Sequence, residues 1–337
     1  MHVKSDAVTK ICCIGDLCAD LILPYGEVKQ HLSDLKQGNV GYSEVKLLQG
    51  GTCGNTSAVL GKLGAKPYFV TDLCGDKTGR ALRDEMTAAG VDLSWSIENP
   101  DKANMICIAV IDENKERVIF PWLPPGSDYP RFSAENLSRI PEEELLVFSG
   151  GMVMNNDPAS MNAVCEKTEA LKRAGSTVVF DLNVRAETYG MNPERRAAYD
   201  RMISLCDIVI GSGIEEFAAV TGALEIEDAV TILARNGTAV IARDGGNPVL
   251  IAEQGQRFSV PTEEVRPVQT IGAGDTFNAG FLYALKEGLD IVSAAAFANG
   301  IAAYMISTPG HLPVPSDIKE RLARARRTGT ECRNALK

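Results

Sequence analysis

From Leu146 onward, short β-branched runs alternate with longer stretches in which apolar residues recur three and four positions apart. "LVFSG", "TVVFDLN", "DIVIGS" and "AVIARD" have the length and apolar density of buried strands. Between them, "SMNAVCEKTEALKRAG", "PERRAAYDRMISLC" and "IEDAVTILARNG" carry helical periodicity, and two of the three close on glycine. This alternation predicts an α/β fold with a mostly parallel central sheet and helices on both faces, a three-layer α/β/α arrangement. Crossovers in such sheets are right-handed and ligands collect beyond the carboxyl ends of the strands. Chemistry is therefore expected just after strands.

The N-terminal third is less regular. "ICCIGDL" and "PYFVTDLCG" read as strands of the main sheet, whereas "LILPYGEVKQ" and "GYSEVKLLQ" read as partly exposed strands. "ANMICIAVI" and "ERVIFPW" flank the charged turn "DENK" and predict a hairpin. Strands drawn from about residues 18–50 and 103–122 are expected to form a small separate sheet. No internal repeat, low-complexity tract or long linker interrupts the chain, so this sheet is expected as an insertion on a single domain spanning residues 1–337.

Composition narrows the function. The 337 residues are 45% hydrophobic, enough for a sizeable core, and 34 Lys plus Arg against 44 Asp plus Glu leave a net charge of -10. That balance opposes general affinity for nucleic acid or anionic lipid, so an anionic ligand must be held locally. The basic stretch "KERLARARR" reads as a solvated helix face. Nine scattered cysteines, several inside apolar runs and none in a C-x-x-C pair, read as reduced buried thiols and not as a zinc or dithiol motif. With no apolar leader and no membrane-length apolar run, a cytoplasmic protein is expected. Only three histidines are present, so proton chemistry is expected to fall to a carboxylate.

One carboxylate stands out in "QTIGAGDTFNAGF". Gly272, Ala273 and Gly274 carry little or no side chain in front of an amphipathic helix, so their amides can approach an anion with the helix dipole behind them. Such a site suits charge developing on a transferring phosphoryl group. Asp275 is poorly placed to bind phosphate but well placed to take a proton from an attacking hydroxyl within about 3 Å. The alternative is that Asp275 favours the helix N-terminus while the glycines make a tight turn. Helix-dipole reasoning also predicts a depressed pKa for it, making it a weak base. No G-x-x-x-x-G-K-[ST] loop occurs, and "GSGIEE" and "GAGDTF" both lack the third glycine of a dinucleotide fingerprint.

"QTIGAGDTFNAGFL" resembles the C-terminal signature of the ribokinase-like (PfkB) carbohydrate kinases, and "GGTCGNTSAVLGKLG" resembles their N-terminal Gly-Gly-Asn segment. "GDKTGR", "DLNVR" and "FANGIAAYMISTPG" resemble further family segments, so the likeness covers nearly the whole chain. The resemblance implies an ATP-dependent, magnesium-requiring kinase with Asp275 as base and the amides of Gly272, Ala273 and Gly274 as anion hole. It implies that Asp20 and Asn55 hold sugar hydroxyls and that Gly50 and Gly51 let the substrate lie against the backbone. It places Glu216 near magnesium through water, Arg185 toward the transferring phosphate, and Asn299 and the "RDGG" turn, Arg243 to Gly246 with Gly245 in it, beside the nucleotide. It also implies a homodimer formed through the small sheet, which would act as a lid.

Departures from the family pattern shape the expected substrate. Gly213 stands where the family has an Asn before its Glu, and Gln269 replaces an acid that contributes to a monovalent-cation site, which puts potassium activation in doubt. Cys18 replaces the Asn of ribose-specific members. Thr52 replaces the lysine of phosphosugar kinases, which favours an unphosphorylated sugar or sugar acid. A nucleoside kinase or sugar-phosphate kinase of the same fold is the nearest alternative, and a non-catalytic sugar or nucleotide sensor is the alternative from another class.

Overall fold

Every residue of "ICCI" is buried, because the strand it forms, β1 (Ile11–Ile14), lies inside a sheet covered on both faces. In this computed structural model, which describes residues 10–24, 44–111, 117–124, 130–155 and 157–335, thirteen further strands follow. They are β2 (Cys18–Pro24), β3 (Lys46–Gly50), β4 (Tyr68–Val70), β5 (Asp72–Cys74), β6 (Ile97–Asn99), β7 (Ile106–Ile111), β8 (Arg117–Trp122), β9 (Leu146–Gly150), β10 (Thr177–Asp181), β11 (Ile208–Ser212), β12 (Ala239–Arg243), β13 (Val249–Glu253) and β14 (Gln256–Val260). The helices are α1 (Thr52–Lys62), α2 (Lys77–Ala88), α3 (Ala134–Leu137), α4 (Pro158–Arg173), α5 (Ala186–Tyr189), α6 (Pro193–Leu205), α7 (Gly213–Thr221), α8 (Ile226–Ala234), α9 (Ala273–Lys286), α10 (Ile291–Ser307) and α11 (Ile318–Asn334).

The central sheet runs β14-β13-β12-β11-β10-β9-β1-β4. It is parallel from β4 to β12, and β13 and β14 turn back as an antiparallel extension. Side-chain alternation divides each strand between two cores. Ile11, Cys13, Phe148, Val179, Ile210 and Ile241 join a core with α1, α9 and α10. Cys12, Ile14, Val147, Phe180, Val209 and Val240 join a second core with α4, α6, α7 and α8. This is the three-layer α/β/α arrangement predicted from the sequence. "PYFVTDLCG" departs from expectation: only β4 joins the central sheet, while β5 pairs with β6 in a two-stranded sheet of its own.

The small sheet runs β3-β2-β7-β8, with β7 and β8 paired antiparallel as the expected hairpin requires, and its turn "DENK" lies outside the described residues. Its strands fall inside the predicted segments. The expected strand "LILPYGEVKQ" is described only as far as Pro24, and the rest lies outside the described residues. The basic stretch forms part of α11, which is mostly exposed and seats Ala325 and Gly329 against the body of the protein. Among the described residues no helix is long and apolar enough to cross a membrane. All nine cysteines are free, with only Cys107 and Cys332 less than fully buried.

Candidate active site

Five strands of the central sheet end, on their carboxyl side, at one cavity of about 400 Å³, and the small sheet lies across it. Asp16 follows β1, Met152 follows β9, Asp181 closes β10, Ser212 closes β11 and Arg243 closes β12, and all five residues line it. Cys18, Asp20 and Ile22 of β2 and Cys107 and Ala109 of β7 line its other side.

The start of α9 forms one wall. Gly272 takes φ 82 as the residue before the helix, and a Cβ there would meet Leu312 Cδ2 at 2.6 Å, so only glycine suits both backbone and space. The Ala273 amide is directed at the Thr270 carbonyl at 3.3 Å, a long bond that a bound anion would compete with. Asp275 follows in the first turn. Burial pushes its carboxyl up to about 7, with the Asn55 hydrogen bond opposing and the charges of Asp181 and Asp16 adding to the rise. This corrects the helix-dipole expectation of a depressed value: desolvation outweighs the dipole. A carboxylate titrating near neutrality is better matched to a proton-accepting role than one at its ordinary value.

Asn55, in the first turns of α1, donates through Nδ2 to Asp275 Oδ2 at 2.8 Å. Its Oδ1 accepts from Gln49 Nε2 at 2.9 Å, and the same nitrogen lies 3.1 Å from His311 Nε2. An ionised Asp275 fixes the polarity of this chain: Asn55 must turn its NH₂ to the carboxylate, Gln49 must turn its own to Asn55, and His311 is left as acceptor. Burial, reinforced by Lys62, lowers His311 to about 4, which keeps it neutral and able to accept.

The glycines before α1 serve neighbouring carboxylates. A Cβ on Gly50 would lie 2.3 Å from Asp20 Cγ, and one on Gly51, at φ 89, would lie 2.8 Å from the Asp16 carbonyl oxygen. Gly51 lines the cavity and Gly50 does not. The missing side chain of Gly50 makes room for the Asp20 carboxylate, while Gly51 opens onto the cavity. Burial raises Asp20 to about 6, opposed by its bond from Cys18. Asp16 was not singled out by sequence; it accepts from the amides of Thr52 and Cys53 at 2.9 and 3.2 Å and so fixes the start of α1.

A buried ion pair joins the other walls. Arg243 Nη2 donates to Asp181 Oδ1 at 3.0 Å, and Arg243 Nη1 donates to the Gly274 carbonyl at 2.7 Å and to Asn278 Oδ1 at 3.0 Å. Asn278 Nδ2 returns to Asp181 Oδ2 at 2.6 Å. The guanidinium therefore ties the ends of β10 and β12 to the first turns of α9. Its sequence signal was an apolar strand ending on a charge, which a buried strand tolerates only when the charge is paired.

Glu216 and Arg185 also line the cavity. Glu216 Oε2 accepts from the Ser212 amide at 2.9 Å, and burial, then the Asp181 charge, raise its carboxyl to about 7. Thr52 Oγ1 accepts from Asn183 Nδ2, so position 52 faces an amide and carries no charge. Besides Gly50, two sequence candidates do not line this cavity. Gly245 occupies an exposed turn at φ 55, and Asn299 donates to the Pro261 carbonyl at 2.9 Å beside a separate cavity of about 120 Å³.

The chain is similar to known proteins over most of its length. The family model described as pfkB family carbohydrate kinase matches residues 8–317. The aminoimidazole riboside kinase of Salmonella typhimurium is 27% identical over 94% of the chain and 96% of its own length. The 5-dehydro-2-deoxygluconokinase of Shouchella clausii is 25% identical over 80% of the chain and 85% of its own. A crystal structure of a double mutant of the fructokinase of Vibrio cholerae O395, with fructose, ADP and potassium bound, superposes with a TM-score of 0.77 at 25% identity, covering 95% of this chain and all of that one.

Proposed function

The chain belongs to the pfkB family of carbohydrate kinases, and from that premise we propose that it transfers the γ-phosphoryl group of ATP to a hydroxymethyl group of a small unphosphorylated sugar or sugar acid. The observation that carries this reading is Asp275, raised to about 7 and oriented by Asn55, at the head of the glycine-rich helix start that closes the cavity. Asp20 and Asn55 would hold acceptor hydroxyls. The γ-phosphoryl group would meet the first-turn amides of α9, and Arg185 would approach its oxygens from the facing wall. Asp275 accepts the hydroxyl proton as the oxygen attacks, and the small sheet excludes water as a competing acceptor. Gly245 and Asn299 remain candidates for contacts with the distant base of the nucleotide.

Magnesium suits Glu216, since a carboxylate crowded by Asp181 gains from a cation held through water. When bound, Mg²⁺ would neutralise charge on the phosphates. The uncharged Thr52 supports an acceptor without phosphate over a sugar phosphate. A coupled ATP-turnover assay tests the reading with fructose, 5-dehydro-2-deoxygluconate, aminoimidazole riboside and their phosphates as a panel. Turnover on an unphosphorylated member supports it, while tight sugar binding without turnover supports a sensor.

Potassium is not expected to activate. Gln269 Nε2 donates to the carbonyls of Met305, Thr308 and Gly310 at 3.3, 3.0 and 2.6 Å, filling with an N–H donor the position in which these oxygens would hold a cation. Turnover should be equal with and without potassium, and Gln269→Asp should become potassium-dependent. Several-fold stimulation of the unaltered enzyme would contradict this reading.

A homodimer through the small sheet is supported by where apolar surface remains. Val45, Leu47, Phe120, Trp122 and Leu123 are exposed on or beside its edge strands β3 and β8, with Trp122 at 69%. Light scattering should give a dimer mass that Trp122→Glu halves; a monomer at all concentrations would refute it.

A further inference from the structure

The small sheet carries a cluster in which Asp20 stands beside two thiols, Cys18 and Cys107, that the phosphoryl-transfer reading does not use. Cys18 and Asp20 of β2 and Cys107 of β7 each present one ligand atom, and the three atoms lie within 4.8 Å of one another. All three line the cavity, so one side of the cluster faces open space. Asp20 and Cys107 sit opposite each other in the parallel pairing of β2 and β7, and Cys18 Sγ donates to Asp20 Oδ1 at 3.4 Å. Met105 and Cys74 pack against the same thiols, so the surroundings are rich in sulfur.

We propose that Cys18, Asp20 and Cys107 form a binding site for zinc or a similar thiophilic divalent cation, in which the metal and the sugar acceptor exclude one another. Two sulfurs and one carboxylate oxygen with a fourth side open make a donor set that zinc accepts readily. On binding, two S–H protons leave to solvent as two metal–thiolate bonds form, with no change of oxidation state. The bound ion would take Asp20 from the sugar. This competitive part rests on the proposed role of Asp20 in acceptor binding, and the metal site itself does not.

Titration of the reduced protein with Co²⁺ should give a thiolate-to-cobalt charge-transfer band, which one equivalent of Zn²⁺ removes. Cys18→Ser and Cys107→Ser should each weaken zinc at least about 10-fold and diminish the band, while Cys332→Ser keeps it. If the serine variants do not fold, X-ray absorption on the zinc-loaded unaltered protein should count two sulfur ligands. No thiolate band, a band unchanged in both serine variants, or fewer than two sulfurs would overturn the site. Zinc should also raise the acceptor's KM with kcat unchanged. If zinc binds at these residues but leaves KM unaltered, the exclusion fails while the metal site stands.

Discussion

Asp275→Asn is expected to lower kcat by about 10²- to 10⁴-fold, the usual worth of a positioned general base, with acceptor KM changed little. The amide keeps the carboxylate's shape and can still accept from Asn55 Nδ2, so binding geometry survives while the proton acceptor is lost. The same substitution should stabilise the protein at pH 8. Burial raises the folded-state pKa of Asp275 to about 7, above the ordinary carboxylate value of about 4, so the folded state favours the protonated form. Its contribution to stability is therefore lost as pH rises from about 4 through about 7, and an uncharged Asn avoids that loss. Urea midpoints for both proteins at pH 5 and pH 8 measure this. A variant less stable than the parent at pH 8 would show that the carboxylate is not desolvated.

The second large effect is on stability and concerns Arg243. Asp181 is 3% exposed and Arg243 is 9% exposed, so Arg243→Met leaves a buried carboxylate with Asn278 but without its counter-charge. Removing one partner of a buried pair costs about 3–5 kcal/mol, whereas replacing both with groups of similar shape costs far less. Arg243→Met should show a loss of this size in urea unfolding, and adding Asp181→Asn should recover most of it. Purely additive losses would mean the two side chains act independently. The Gly274 carbonyl also loses its anchor, so activity should fall even where the variant remains folded.

Much of the framework was legible because it is local. The strand and helix alternation after Leu146 reads directly from periodicity, and the segment from Gly272 to Asp275 reads from small residues before an amphipathic helix. What escaped depends on residues far apart in sequence. Asp181 and Arg243 begin segments that the sequence marks, "DLNVR" and "RDGG", but their pairing with each other and with Asn278 arises only when β10, β12 and α9 converge. That the Asp20 carboxylate fills the space of the missing Gly50 side chain is equally invisible in the pattern. The sign of the Asp275 shift was wrong for a related reason: the dipole is visible in a helix start, but the surrounding desolvation comes from the whole fold. Likewise, "PYFVTDLCG" has strand character throughout, and only tertiary pairing divides it between two sheets.

The role of Asp275 as proton acceptor is tested most directly by the pH dependence of kcat/KM, measured for the parent enzyme and for Asp275→Asn on the acceptor that the panel identifies. A base that must be ionised predicts activity falling below about pH 7 in the parent, and loss of that acid limb in the variant's residual activity. The same limb persisting in Asp275→Asn would assign the titration to Glu216 or Asp20, whose carboxyls rise to about 7 and about 6, and would contradict the account.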